Sequence, residues 1–210
     1  MTIEVPKSHF TATGVVFDGQ GKFLLHLHSK IGCWLPPGGH IEENEEPQDA
    51  VLREIEEETG LLCECLCYQP EFSLNLNNDD VIELVKPLAI LKEPIHDKKQ
   101  GFHYHIDMIY LCKPLKNSQL TNKSFQWLSL EEVKKRKTPL NVIRLIELTE
   151  KLLIKKLFKF LNKTKWLIIN KQLKRFLETA LLLLEIKNFK THYKLILELN
   201  KLMLISRYTY

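Results

Sequence analysis

Glu54, Glu57 and Glu58 stand at spacings i, i+3 and i+4 in the run LREIEEETG, with Arg53 directly before them. On a helix those positions share one face. Three clustered carboxylates repel one another and raise each other's pKa unless something cationic neutralises them. Arg53, four residues before Glu57, takes part of that charge, but one guanidinium does not balance three carboxylates. A divalent metal completes the balance, and hard oxygen donors suit Mg²⁺ or Mn²⁺. A solvated acidic helix face is the other reading, and spacing alone does not separate the two.

The element that must carry these side chains is bounded by two signals. Pro47 suits a first helical turn, where its missing N–H has no intrahelical partner to lose. Gly60 suits a left-handed stop. Together they predict a helix from Pro47 to Thr59. At about 100° per residue, Val51, Leu52, Ile55 and Thr59 share a broad face able to pack on a core. Upstream, Gly38 and Gly39 leave room for a backbone carbonyl to approach a metal, since neither has a side chain in the way.

A longer pattern encloses this helix. Gly39, five residues, Glu45, seven residues, then REIEEETGL from Arg53 to Leu61 places nine specified residues across 23 positions. The segment is entered through Trp34-Leu35-Pro36-Pro37-Gly38-Gly39. It resembles the Nudix box without a gap or a substitution, and the resemblance covers about Ser8 to Glu150. What the resemblance implies is a Nudix α/β/α sandwich with a mixed sheet, an α/β fold. It also implies hydrolysis of a diphosphate bond in a nucleoside diphosphate linked to another moiety. On the same basis Glu54, Glu57 and Glu58 hold Mg²⁺, with Mn²⁺ as a substitute and the Gly38 carbonyl assisting. Arg53 orients and partly neutralises them, and Glu45 braces Arg53 or its loop rather than binding metal. The family places its general base sometimes at the position of Glu54 and sometimes on a loop glutamate, so the base stays open. The substrate stays open too, between ADP-ribose-like compounds and (d)NTPs.

The other elements follow from local pattern. Phe10 to Phe17, the turn signal Asp18-Gly19-Gln20-Gly21 and Lys22 to His28 read as a β-hairpin. Gly32 to Gly39 reads as a loop delivering the chain to the helix. Leu61 to Tyr68 reads as a strand, followed by a polar connection over Asn75 to Asp80, a run from Val81 to Leu91, and a strand from His103 to Cys112. Alternation places His103, His105 and Asp107 on one face of that last strand. If that face opens on the acidic helix, His103 and His105 are substrate contacts, with Asp97 to Gln100 a mobile loop beside the mouth. His26 and His28 also share a face, and read as half-exposed sheet residues rather than ligands. Phe125 to Leu128 is a strand leading into a helix capped by Ser129 with Glu132 three residues on. Pro139 to about Leu153 is the last domain helix, packing through Val142, Leu145, Ile146 and Leu148. Strands, helix, strands, helix is the order of a mixed α/β layered fold.

With 210 residues the chain is long enough for one substantial core and a surplus. Residues 1–150, the expected hydrolase domain, carry 16 Lys+Arg against 23 Asp+Glu, whereas residues 151–210 carry 14 against 3. The second part is a basic, Leu/Ile/Lys-rich extension whose periodicity suggests helices over Leu152–Leu161, Lys171–Ile186 and His192–Ile205. It reads as a helical cap on the domain or on a second copy in a homodimer, as a basic surface for anionic membrane or nucleic acid, or as weakly folded sequence of compositional origin. Two other functions follow from the same residues: an RNA 5′-pyrophosphohydrolase gripping RNA with the tail, and a non-catalytic nucleotide-binding module. The full set of box carboxylates weighs against the second.

The start, MTIEVPKSHF, lacks a signal-peptide pattern, and no uncharged apolar stretch approaches the roughly 20 residues of a transmembrane helix. Five cysteines without framework spacing fit a reducing, cytoplasmic setting. Cys63, Cys65 and Cys67 alternate and read as buried thiols rather than a metal site.

Overall fold

Helix α1 spans Pro47–Thr59, the limits its proline and glycine set, with Gly60 in the left-handed region at φ 77° and its N–H bonded to the Glu56 carbonyl. The computed structural model describes residues 6–66, 73, 74, 76 and 80–163. Ala50, Val51, Ile55 and Thr59 are fully buried, and Leu52 packs at the margin of the same core. Thr59 is tolerated there because its hydroxyl bonds the Ile55 carbonyl and takes the Leu61 N–H.

The helix lies on a five-stranded mixed sheet in which β1 (Ser8–Val16) runs between β4 (Gly38–His40) and β7 (Gly101–Pro114). β1 is antiparallel to β4 and parallel to β7. On its other edge β7 pairs first with β6 (Ala89–Asp97) and then with β5 (Cys63–Cys65). A second sheet holds β3 (Cys33–Leu35), β2 (Phe23–His28) and β8 (Phe125–Leu128) in that order. Ala12, Val16, Tyr110 and Cys112 form a core with Val51 and Ile55 of α1. A Cβ on Gly14 would sit 2.6 Å from the Ile55 Cδ1, so the absent side chain there lets helix and sheet close.

Several expectations are corrected. β1 and β2 do not form a hairpin ladder; they join different sheets and share only the bridge Phe17–Phe23 beside the Asp18–Lys22 turn. β1 instead pairs in parallel with β7 along its whole length. The stretch read as a loop before α1 contains β3 and β4, each of three residues. Asp97 to Gln100 is a tight hairpin turn rather than a loop, with the Asp97 carboxylate accepting the N–H groups of Lys99 and Gln100.

α2 (Leu130–Lys134) begins with the expected capping box: the Ser129 hydroxyl accepts from the Glu132 N–H, and the Glu132 carboxylate accepts from the Ser129 N–H. α3 is one helix from Leu140 to Lys163, so Leu152–Leu161 is its continuation and not a separate element. No glycine or proline interrupts it. Val142, Leu145, Ile146 and Thr149 are its buried stripe at i, i+3, i+4 and i+7, and Leu148, one step off that stripe, is exposed. The expected helices Lys171–Ile186 and His192–Ile205, and Cys67, lie outside the described residues. No described helix is long and apolar enough to cross a membrane.

Candidate functional site

Gly39 of β4 faces α1 so closely that a Cβ there would land on the Glu54 carboxylate. One residue earlier, the Gly38 N–H donates to Glu58 Oε2 at 3.2 Å. The β4–α1 junction thus holds two of the three predicted carboxylates against a backbone with no side chains of its own. Gly38 is equally confined on its other side, where a Cβ would meet the Ala12 carbonyl oxygen at 2.6 Å and Thr13 Cα at 2.8 Å.

Arg53 fixes the remaining geometry. Its Nε and Nη2 donate to the two oxygens of Glu45 at 2.8 and 2.9 Å, the two-pronged match of guanidinium to carboxylate. Nη1 donates to Glu54 at 2.9 Å and to Glu57 at 3.2 Å, while Nη2 also reaches the His40 carbonyl at 3.0 Å. Glu45 in turn accepts the Glu42 N–H. The guanidinium holds the Glu45 carboxyl below the usual range, and Glu45 foremost keeps Arg53 protonated. Glu45 therefore stands where the sequence placed it, as a brace.

The three carboxylates differ in surroundings. The Glu54 side chain is 17% exposed and that of Glu57 is 61% exposed. Glu58 is half-buried, and burial, reinforced by the charges of Glu54 and Glu57, pushes its pKa up against the pull of the Gly38 N–H. They do not close into one tight group. The donor set nonetheless fits a hard divalent cation: three carboxylates face one guanidinium, burial disfavours the charged form of Glu58 unless a cation stands beside it, and the absent side chain of Gly39 lets Glu54 close on the β4 backbone.

His103, His105 and Asp107 do share a face of β7, but that face is turned away from α1. Register puts Asp107 opposite Thr11 and His105 opposite His9, whereas Ala12, Gly14 and Gly39 point to the helix. The face that carries His103 and His105 therefore does not open on the acidic helix. His103 is buried, with its Nδ1 3.1 Å from the Gly101 carbonyl. His105 is lowered to about 4 by burial first and by His40, His103 and His9 after it. Asp107, also buried, accepts from the hydroxyls of Thr11 and Thr13 at 2.9–3.0 Å. Burial raises its pKa, as it does that of Glu93 on the neighbouring strand β6, whose carboxylate accepts from Asn141.

Sequence reading missed His9 and His40, which join His105 on this face. Among the described residues, these three are the one set of His, Cys, Asp or Glu whose ligand atoms all lie within 4.8 Å of one another. His26 stacks on Phe125 at 4.3 Å with His28 beside it, a packed sheet pair. Cys63 and Cys65 are half-buried, and the Cys65 and Cys112 sulfurs lie 3.9 Å apart as free thiols.

Comparison with known proteins bears on this geometry. The NUDIX domain model matches residues 7–148. A MutT-like protein of Streptomyces ambofaciens is 26% identical over 145 residues, covering 68% of this chain and 77% of that protein. An 8-oxo-dGTP diphosphatase of Proteus vulgaris is 53% identical over 54 residues, 24% of this chain and 48% of that one. The crystal structure of a NUDIX-family hydrolase from Clostridium perfringens superposes with a TM-score of 0.53 at 29% identity, covering 70% of this chain and 97% of that one. With the domain model matching over two-thirds of its length, the chain belongs to the Nudix family of hydrolases, which cleave pyrophosphate bonds in nucleotide-like compounds.

Proposed function

We propose that the chain is a Mg²⁺-dependent pyrophosphohydrolase in which Glu54, Glu57 and Glu58, with the carbonyl of Gly38, hold the metal. Mn²⁺ is the natural substitute. The observation that carries this reading is the convergence of Glu54 on Gly39 and Glu58 on Gly38 beside an arginine that contacts Glu54 and Glu57. Mg²⁺ bound there supplies neutralisation of the substrate's phosphate charge and alignment for attack by water at phosphorus. Arg53 holds Glu54 in place through Nη1, and Glu45 holds the guanidinium so that it does not swing to the solvent. The Gly38 N–H fixes one oxygen of Glu58 and leaves the other to the site.

The substrate class of this reading is a nucleoside diphosphate linked to another group, an ADP-ribose-like compound or a (d)NTP. Residues 1–150 are the hydrolase domain, and 151–210 a basic, Leu/Ile/Lys-rich extension. The proposed setting is the cytoplasm. Purified protein with Mg²⁺ is to be assayed against ADP-ribose, NADH, diadenosine polyphosphates, (d)NTPs and nucleoside diphosphate sugars, with Glu57→Gln beside it. Turnover of one class, lost in the variant, supports the assignment; equal turnover by the variant removes it.

One observation favours a second substrate, 5′-triphosphorylated RNA: the excess of 14 basic over 3 acidic residues in 151–210. RNA gripped by that segment would be released steeply by salt, because each neutralised phosphate frees a counterion. Hydrolysis of such RNA that does not weaken between low and high salt argues against it.

A further inference from the structure

Four of the eight histidines gather on the sheet face opposite α1: His9 on β1, His40 on β4, and His103 and His105 on β7. The three strands are neighbours, so the positions are fixed by backbone pairing. His9 stands directly opposite His105 in the parallel ladder, and His40 stands opposite Thr11, two residues along β1. The ring centres of His9 and His105 are 6.1 Å apart, those of His9 and His40 5.5 Å, and those of His40 and His105 5.0 Å.

One atom in this group is anomalous. His105 Nε2 is buried and has no hydrogen-bond partner among the described residues. A buried imidazole nitrogen without a partner is costly, and such groups are rare in folded proteins. The other polar groups described on this face have partners of their own: Asp107 is committed to Thr11 and Thr13, Glu93 takes Asn141, and His103 Nδ1 is turned to the Gly101 carbonyl. Ring nitrogens of His9 and His40 lie within 4.8 Å of one on His105, three lone-pair donors that a shared cation would satisfy together.

From this arrangement we infer that His9, His40 and His105 form a second metal site, one for a borderline transition-metal dication such as Zn²⁺, distinct from the carboxylate site on α1. Imidazole nitrogen selects Zn²⁺, Co²⁺, Ni²⁺ or Cu²⁺, whereas Mg²⁺ prefers oxygen. In a tetrahedral site with metal–nitrogen bonds of about 2.0–2.1 Å, two ligand nitrogens stand about 3.4 Å apart. The three nitrogens here already lie within 4.8 Å of one another, so rotation of side chains on fixed strands closes the set. Three histidines leave a fourth position for water or another ligand. His103, with its ring 4.6 Å from His9 and 5.2 Å from His105, packs against the site. The inference does not depend on which substrate the enzyme hydrolyses, or on Mg²⁺ at the carboxylates.

The test uses the full chain, freed of metal by chelator and returned to buffer with excess Mg²⁺ so that the carboxylate site is filled. Co²⁺ is titrated in and followed by its visible ligand-field absorption, and Zn²⁺ binding is measured by equilibrium dialysis. The expected result is one Co²⁺ per chain, without the near-ultraviolet band of a cobalt–thiolate bond, displaced by one Zn²⁺. His105→Gln and His40→Ala weaken both ions at least 10-fold, while His28→Ala and Glu57→Gln do not. His40 is exposed on an edge strand, so its variant keeps the question open to measurement even if His105→Gln fails to fold. Binding unchanged in His40→Ala and His105→Gln, a thiolate band, or no Co²⁺ binding in the presence of Mg²⁺ would each overturn the inference.

Discussion

Arg53 links more of the site than any other side chain, and replacing it by methionine has a calculable consequence. The substitution keeps much of the aliphatic stem and removes five hydrogen bonds, two of them the paired contacts with Glu45. The Glu57 contact counts for little, since that side chain is 61% exposed and exposed pairs contribute about 0–1 kcal/mol. Glu45 and Glu54 are different, being 16% and 17% exposed, and each would keep its charge with no cation beside it. Breaking a fully buried pair costs about 3–5 kcal/mol. Arg53 itself is 24% exposed, so returning water recovers part of this, and the expected loss is about 2–4 kcal/mol. Glu45→Gln retains one acceptor and should lose about 1–2 kcal/mol. Because the two side chains share their contacts, the double variant should fall short of the sum, with a coupling of about 1.5 kcal/mol. Urea unfolding of the four proteins, at constant slope, gives each number. A coupling below about 0.5 kcal/mol would refute the claim that this pair locks the junction of β4 and α1.

The same cycle has a pH dependence. Glu45 is held below its ordinary value of 4.5 by Arg53, so its contribution is complete above pH 4.5 and disappears as pH falls through the lower, folded-state value; a coupling that grows on acidification contradicts the assignment. Gly39→Ala should preserve the fold, by circular dichroism, yet lower turnover by about 10²-fold, because its methyl displaces the Glu54 carboxylate. Gly14→Ala should act the other way, destabilising by about 1–3 kcal/mol in urea by pushing against Ile55 and Val51. Ser129→Ala removes the cap of α2 and should cost about 1 kcal/mol in the same assay.

How much of this was legible beforehand depended on the range of the interaction. Helix α1 was readable to the residue because Pro47 and Gly60 act locally, and so was the Ser129–Glu132 cap. Strands β3 and β4 were not, since three residues are too short to show alternation and two of those in β4 are glycines; β4 exists because β1 is there to pair with it. The Asp18–Gly21 turn signalled a hairpin, but β1 pairs instead with β7, 96 residues away, and no local pattern encodes that choice. The brace between Glu45 and Arg53 was anticipated, while the direction faced by His103 and His105 was not. Alternation fixes which residues share a face; it does not say which face the helix covers. His9 and His40 became neighbours of His105 only through the order β4–β1–β7.

The α1 carboxylates are proposed to hold a divalent metal that hydrolysis needs. Mn²⁺, which can stand in for Mg²⁺ and is visible by electron paramagnetic resonance, tests this most directly. Free Mn²⁺ is titrated against the wild type, Glu57→Gln and Glu58→Gln, and turnover of the best substrate is followed in the same samples. Saturable binding is expected in the wild type, displaced by Mg²⁺. In both variants binding should weaken about 10-fold or more, with turnover falling by orders of magnitude while the fold persists. Variants that bind Mn²⁺ as tightly as the wild type and turn over as fast would contradict the assignment.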